Sequence, residues 1–439
     1  MQKNPLCATQ SPQTEKGNTM SLASNTIESI KLKILLELFD HIRCGSLTVT
    51  LPSGVEHKCE GKKDGPHATI QFHNIHCVDA LLKQGDIGLG ETYMNGDWDT
   101  DDLPTLLTFF VVNLQAIEHI IHGKRIFQLL WRLSSLFTRN TKRGSRKNIY
   151  KHYDLGNDFY KLWLDKSLTY SSGIFLSDTD TLADAQRQKY GRILEQIGEK
   201  PSHILEIGCG WGGFAEEAAR RGHKVTCLTI STAQATHARK RLKKANLDHL
   251  VTIKICDYRD MHDTFDHIVS IEMIEAVGQE FWETYFECLK RCIKPGGKVI
   301  IQGITIDNDI FEDYQNRIDF IQKHIFPGGM LLSPHVFNDL STQFGFNINE
   351  SFAFGPSYEM TLHHWLRNVE EKYHDIQKLG FTDSFIRKWK FYLAYCIAGF
   401  STNQTDVYQF VLQSPQTLTQ HPKRENPKKT NGERSPQKP

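Results

Sequence analysis

The chain has 439 residues, enough for two or three domains around a large buried core. It is 39% hydrophobic and 23% charged with a formal net charge of +1, which excludes bulk electrostatic binding of nucleic acid; a charged partner must be met by a local patch. Ten scattered cysteines, with no pair at CxxC spacing and no signal-like apolar leader, read as reduced thiols of a cytoplasmic protein and give no metal site.

Residues 1–25 are polar and predict a disordered tail. Residues 26–121 predict a small α/β domain. In it "SLTVTL" and "ATIQFH" are strands and "CVDALLKQG" is a helix. Gly85, Gly88, Gly90 and Gly96 close segments, and "GDWDTDD" is a solvated turn. The apolar run "LPTLLTFFVVNLQAIEHII" is interrupted by Pro104 and Glu118, so it reads as a buried helix and not as a membrane span.

Residues 122–148 contain no Asp or Glu and eight Lys or Arg. Ile126, Leu129, Leu130, Leu133, Leu136 and Phe137 share one helical stripe, and Arg125, Arg132 and Arg139 repeat every seven residues along its edge. Such a linker either lies on an anionic membrane surface or packs its stripe on a neighbouring domain, and both readings stay open here.

From 149 to 412 strand-like and helix-like segments alternate. Strands fall at 203–207, 224–230, 251–256, 266–271 and 298–305, with helices near 211–222, 232–245 and 279–293. This pattern predicts an α/β, doubly wound, mostly parallel sheet. Residues 413–439 are polar and predict a second disordered tail.

The first of these strands runs into "EIGCGWGGF" (206–214), with four glycines in six residues. A doubly wound sheet binds ligands at the carboxyl ends of its strands, and glycines let the backbone approach a ligand closely. Gly208, Gly210 and Gly213 also satisfy GxGxxG, but a nicotinamide site needs an acid at the end of the second strand, where this chain reads "LTIS". Thr229, Ser231 and Gln234 are the polar groups there, Glu206 lies in the turn's own strand, and "DYRD" (257–260) follows the third strand. This arrangement suits a nucleoside without a pyrophosphate, S-adenosylmethionine, better than a dinucleotide.

The chain resembles the cyclopropane-fatty-acyl-phospholipid synthase family and its mycolic-acid relatives. The likeness rests on "HYDLGNDFYKLWLD" (152–165), "TYSSGIF" (169–175), "LEIGCGWGGFA" (205–215), "LTISTAQ" (228–234), "DYRD", "FDHIVSIEMIEAVG" (265–278), "IFPGG" (325–329), "FGPSYEMTLHHW" (354–365) and "YLAYCIAGF" (392–400). The segment "IGLGETYMNGDWD" (87–99) extends it into the amino-terminal domain.

The resemblance implies a seven-stranded methyltransferase sheet with a helical cap over an acyl-chain pocket. It implies methylene transfer from S-adenosylmethionine to a cis double bond of an unsaturated phospholipid acyl chain. The cofactor is expected against Tyr170 and Ser171, the turn residues Glu206, Gly208, Cys209, Gly210, Gly212 and Gly213, then Thr229, Ser231, Gln234, Asp257, Tyr258 and Ile271. The aromatic residues His152, Tyr153, Phe159 and Tyr160 are expected to lid it, and 310–329 to form an amphipathic pocket wall. The family implies a bound bicarbonate as the base that closes the ring. Its cradle maps onto Glu275, Tyr358, Gln302 and the backbone near Cys209 and Ile304, with Cys396 lining the pocket.

The chain departs from the family at two histidines, which are Ala276 and Gln302 here. Glutamine can donate a hydrogen bond but does not titrate near neutral pH, so a methylene-bridged or methyl-branched product stays open beside the ring. The implied setting is cytoplasmic, at the inner face of a membrane, with no nucleic acid; a homodimer is left open.

Overall fold

The computed structural model describes residues 35–37, 39–74, 76–121 and 155–414. The basic linker 122–148, His152, Tyr153 and the tails at 1–25 and 415–439 lie outside the described residues.

Seven strands form the main sheet: β5 (His203–Ile207), β6 (Lys224–Thr229), β7 (Val251–Ile255), β8 (Phe265–Ile271), β9 (Ile293–Ile306), β10 (Asn347–Ala353) and β11 (Thr405–Gln413). Their spatial order is β10-β11-β9-β8-β5-β6-β7. Strands β9, β8, β5, β6 and β7 pair in parallel, and β11 enters antiparallel between β10 and β9. The central strands are covered on both faces, so Ile204, Leu205 and Ile207 of β5 and Ile268 and Val269 of β8 are all buried.

The sequence reading found five of these strands. Strand β10 escaped it because its sequence, "NINESFA", alternates exposed with half-buried positions and carries no buried run. Strand β11 carries buried Val407, Phe410, Val411 and Leu412 and runs to Gln413, one residue into the expected tail; Ser414 N then donates to Gly297 O.

The cap is built from the helices Asn157–Trp163, Gly355–Glu371, Tyr373–Lys378 and Asp383–Ser401. Trp163 stands edge-on to Trp365 at 5.5 Å between centroids, and Phe159 meets Trp389 at 5.1 Å. The amphipathic segment 310–329 falls in two short helices, Asn308–Gln315 and Phe320–His324, and the turn that follows them. A capping box on Asp319 and Gln322 restarts the second, because their side chains satisfy the otherwise orphaned amides.

A second sheet has the order β2-β1-β3-β4, from β1 (Cys44–Thr50), β2 (Glu56–Glu60), β3 (Lys63–Phe72) and β4 (Trp98–Asp99). Two readings of this region are corrected. Trp98 is wholly buried and pairs with Phe72, so "GDWDTDD" is not simply a solvated turn. Gly88 and Gly90 do not end a segment; they lie within the helix Asp86–Asn95. A Cβ on Gly88 would stand 2.1 Å from Ala80 O, and one on Gly90 would stand 2.4 Å from the Phe320 ring, so both are sites of close approach.

That helix joins the small sheet to the cap. Asp86 accepts hydrogen bonds from Phe320 N and Tyr395 OH, each at 3.0 Å, and Arg387 donates to Trp98 O and Tyr93 O. Among the described residues no helix is long and apolar enough to cross a membrane. One cluster there has metal-ligand chemistry, Asp40, His57 and Cys59; His57 Nε2 already meets Asp40 Oδ1 at 3.2 Å, so it reads as a hydrogen-bonded pair beside a buried thiol.

Candidate active site

The turn after β5 holds Gly208, Gly210 and Gly212 at φ of +83°, +49° and +83°, a region in which only glycine is unstrained. Gly208 N and Cys209 N both donate to Leu228 O, which ties the turn to the end of β6. A Cβ on Gly210 would meet nothing within 4 Å, so this backbone opens onto free space. Gly213 begins the helix Gly213–Arg220 against Tyr190 OH. The Trp211 indole donates to Asn157 Oδ1 at 2.8 Å and fastens the turn to the cap.

Glu206 is buried beneath the turn, and burial pushes its carboxyl up to about 8 against the pull of the Cys227 thiol and the Lys189 charge. At the end of β6, Thr229 Oγ1 donates to Gln234 Oε1, Ser231 N donates to Thr229 Oγ1, and Ser231 caps the next helix. Asp257 is buried with a forked pair of bonds from Arg259, at 2.8 and 2.7 Å. The expected cofactor residues from Glu206 to Ile271 lie at the carboxyl edge of β5, β6, β7 and β8, while Tyr170 and Ser171 lie outside those strands and bond to Tyr392 and Lys189. An opening glycine backbone beside hydroxyl and amide groups fits a nucleoside cofactor, and the turn itself carries no lysine or arginine for a pyrophosphate.

Beyond β8 a second centre forms around a residue the sequence reading passed over, Glu272. Its backbone is left-handed, at φ +47°, which is uncommon for a residue with a Cβ. Its carboxylate is enclosed and takes three hydrogen bonds. Ser172 N and Gln302 Nε2 reach Oε1 at 2.8 and 2.7 Å, and Tyr358 OH reaches Oε2 at 2.6 Å. Gln302 is held in turn by Gln409 Nε2, 3.0 Å from its Oε1. Burial raises the Glu272 carboxyl above its ordinary range; the Tyr358 hydroxyl, the Lys189 charge, Gln302 and the Ser172 amide all act against that rise.

Glu275 has a different environment. Its Oε1 accepts from Ile304 N at 2.6 Å, while its buried Oε2 has no partner among the described residues. Burial, with the Glu272 charge beside it, pushes Glu275 up to about 8, so it carries a proton at neutral pH.

The bicarbonate cradle is accordingly corrected. Tyr358 and Gln302 donate to Glu272, Ile304 N donates to Glu275, and Cys209 N donates to Leu228 O. The four donors expected for a free anion are thus engaged by the protein itself, with two carboxyls and a backbone carbonyl as their acceptors. These residues do not fit bicarbonate.

Around this centre Tyr358 lies 4.6 Å from the Phe400 ring, and Tyr170 OH meets Tyr392 OH at 2.9 Å. Cys396 is half-buried on the same helix as Tyr392, and burial raises its thiol well above the ordinary range, which suits a wall and not a nucleophile. Ser171 accepts from Lys189 Nζ at 2.7 Å. Glu272 was visible to sequence reading only as a second acid within "SIEMIEAVG"; Ser172, Lys189 and Gln409 gave no signal beyond their residue types.

The family model described as mycolic acid cyclopropane synthetase matches residues 140–410. The chain is 38% identical over 364 residues to tuberculostearic acid methyltransferase UfaA1 of Mycobacterium tuberculosis, covering 79% of this chain and 84% of that one. It is 33% identical over 350 residues to cyclopropane-fatty-acyl-phospholipid synthase of Escherichia coli, covering 78% and 87%. Among solved structures it is similar to the cyclopropane synthase MmaA2 from Mycobacterium tuberculosis, with a TM-score of 0.58 at 26% identity over 64% of this chain and 100% of that one. It is likewise similar to the mycolic acid cyclopropane synthase CmaA1 complexed with SAH and CTAB, with a TM-score of 0.58 at 28% identity over 61% and 98%.

Proposed function

The chain belongs to the mycolic acid cyclopropane synthetase family of S-adenosylmethionine-dependent methyltransferases, and from that premise we propose that it adds one carbon to a cis double bond of an unsaturated phospholipid acyl chain, with Glu272 as the proton acceptor. When bound, S-adenosylmethionine supplies a methyl group on a sulfonium, which a weakly nucleophilic alkene can attack. The residues that would hold it are the turn from Glu206 to Gly213, Thr229, Ser231, Gln234 and the Asp257–Tyr258 pair, with Tyr170 and Ser171 closing over it.

Attack of the double-bond electrons on that methyl would form the first new carbon–carbon bond as its carbon–sulfur bond breaks to leave a neutral thioether, and a cation would remain on the chain. Tyr170, Tyr392, Phe400 and Cys396 exclude water that would capture that cation. Glu272 then takes a proton from the new methyl group, and the freed C–H pair closes the three-membered ring. Tyr358, Gln302 and the Ser172 amide hold the carboxylate in one orientation for this step. Glu275, pushed up to about 8 by burial and the Glu272 charge, stands beside it as the protonated partner.

The convergence of three donors from "TYSSGIF", "IIQGIT" and "SYEMTL" on Glu272 carries this reading. A second reading, an open-chain methylene product, is favoured by the 38% identity to a tuberculostearic acid methyltransferase; it requires a 1,2-hydride shift that moves the cation to the carbon bearing the new methyl group, after which the base takes the methyl proton and the freed pair forms a double bond in place of the ring. The setting we infer is the cytoplasmic face of a membrane, where the basic stretch 122–148 would meet anionic lipid.

The test is mass spectrometry of lipids from cells expressing the protein. Acyl chains heavier by about 14 daltons, one CH₂, are expected, with chromatography separating ring from branch. Glu272→Gln is expected to lose at least about 100-fold in product while keeping cofactor affinity. Full activity in that variant removes Glu272 as the base, and unchanged lipid masses with the wild-type chain remove the whole reading.

A further inference from the structure

Lys189 is the one buried cation that this chemistry leaves without a task among the residues around Glu272. It belongs to the helix Leu182–Ile197, whose register is fixed by a capping box between Thr181 and Asp184. Its side chain is fully enclosed, at 0% exposure. Packing alone would be served by methionine, and an enclosed ammonium is costly unless other charges offset it.

The surroundings of Lys189 show what offsets it. Nζ donates to Ser171 Oγ at 2.7 Å and stands 4.5 Å from the centroid of the Tyr190 ring. Burial drives the Lys189 ammonium down to about 7, against the opposing charges of Glu272, Asp165 and Glu206. One turn earlier on the same helix, Gln186 Nε2 donates to Ser171 O at 2.8 Å. The helix therefore grips Ser171 at both its hydroxyl and its carbonyl. The next residue, Ser172, points its amide at Glu272 Oε1. From the other side Gln409 Nε2 reaches Lys189 O at 3.5 Å and Gln302 Oε1 at 3.0 Å. Lys189 is thus tied through both of its neighbours to donors of the same carboxylate.

We propose that Lys189 is the positioning cation of Glu272: it fixes the 171–172 segment that binds the carboxylate, and it supplies the positive charge that keeps Glu272 ionised until it accepts the proton. This rests on the reading of Glu272 as the base. The cation acts through Glu272 and touches no substrate atom. Removing a positive charge near a carboxylate raises that carboxylate's affinity for protons, so more of it is protonated and idle at a given acidic pH. The other titratable groups facing the pair are Asp165, Glu206, Tyr190, Glu275, Tyr358, Tyr392 and Cys396.

The experiment compares full-length wild type with Lys189→Met and Lys189→Gln over pH 6–9, reading kcat for lipid product and binding of S-adenosylhomocysteine by calorimetry. The expected result is an acid limb of kcat displaced to higher pH by about one unit, with cofactor affinity within about threefold of wild type. Activity that falls equally at every pH, with the limb in place, marks a merely structural lysine and overturns the proposal, as does unchanged activity. Should both variants fail to fold, Ser171→Ala removes the anchor of Nζ and must displace the same limb; an undisplaced limb there overturns the proposal too. Glu272→Gln run in parallel separates the two ideas. If it is inactive while the Lys189 variants keep their limb, only the positioning role falls. If it is fully active, the base assignment falls as well.

Discussion

Glu272 and Glu275 are three residues apart, yet the chain gives them opposite tasks. Glu272 turns back at φ +47° and collects three donors, whereas Glu275 receives one amide and keeps a bare oxygen in an enclosed space. Strained left-handed residues held by their surroundings cluster at functional sites, and the hydrogen bonds around Glu272 hold this one in place. The residue-scale prediction follows from the proton on Glu275. Glutamine has the shape of a protonated glutamate and can still accept from Ile304 N, so Glu275→Gln is expected to keep activity within about tenfold of wild type. Glu272→Gln loses far more. Side-by-side kcat values from purified protein check the contrast, and equal losses in both variants would undo the division of roles. The acid pair was legible in "SIEMIEAVG", but which acid meets the donors was not, because the donors come from segments up to 100 residues away in the chain.

At the scale of elements, the junction between the small sheet and the cap depends on absent side chains. Gly90 sits inside the helix Asp86–Asn95, where a helix former would ordinarily be preferred, because the Phe320 and Phe391 rings press against it. Gly90→Ala would gain helix propensity but put a methyl 2.4 Å from a wholly buried ring. Overpacking outweighs propensity here. A net loss of about 1–3 kcal/mol is expected, read as a lower urea midpoint, and a stabilised variant would show that the junction is loosely packed. The sequence reading took this glycine as a terminator because a local pattern cannot register a ring arriving from residue 320. The parallel strands were easier to read. The central strands β5 and β6 are the clearest cases, because burial on both faces makes their buried runs continuous.

Over the whole molecule, the small sheet's layer and the main domain meet at half-buried acids. Asp86 of the helix Asp86–Asn95 and Asp319, which caps the helix Phe320–His324, lie in one polar seam with Tyr314 and Tyr395. Burial pushes Asp319 up to about 7, from an unperturbed 3.8. The folded state therefore holds a proton on Asp319 between these values that the unfolded state has released, and stability falls as pH rises through that window. Asp319→Asn removes this term and can still cap the Phe320–His324 helix. Its stability relative to wild type is expected to increase from pH 4 to pH 7 and then level off, measured by urea unfolding at each pH. A difference that is flat with pH would mean that Asp319 titrates normally.

The sequence by itself determined the strand–helix alternation, the glycine turn and the carboxyl edge on which the site is built. These are local signals: an apolar run, a spacing, a backbone that only glycine can follow. Only the tertiary structure decided that Glu272 takes the donors assigned to an external anion, that β11 is inserted antiparallel between β10 and β9, and that a lysine lies buried behind the site. Those outcomes depend on which distant segments share an enclosed space of low dielectric, where each hydrogen bond and each charge is settled by its neighbours and not by its place in the chain.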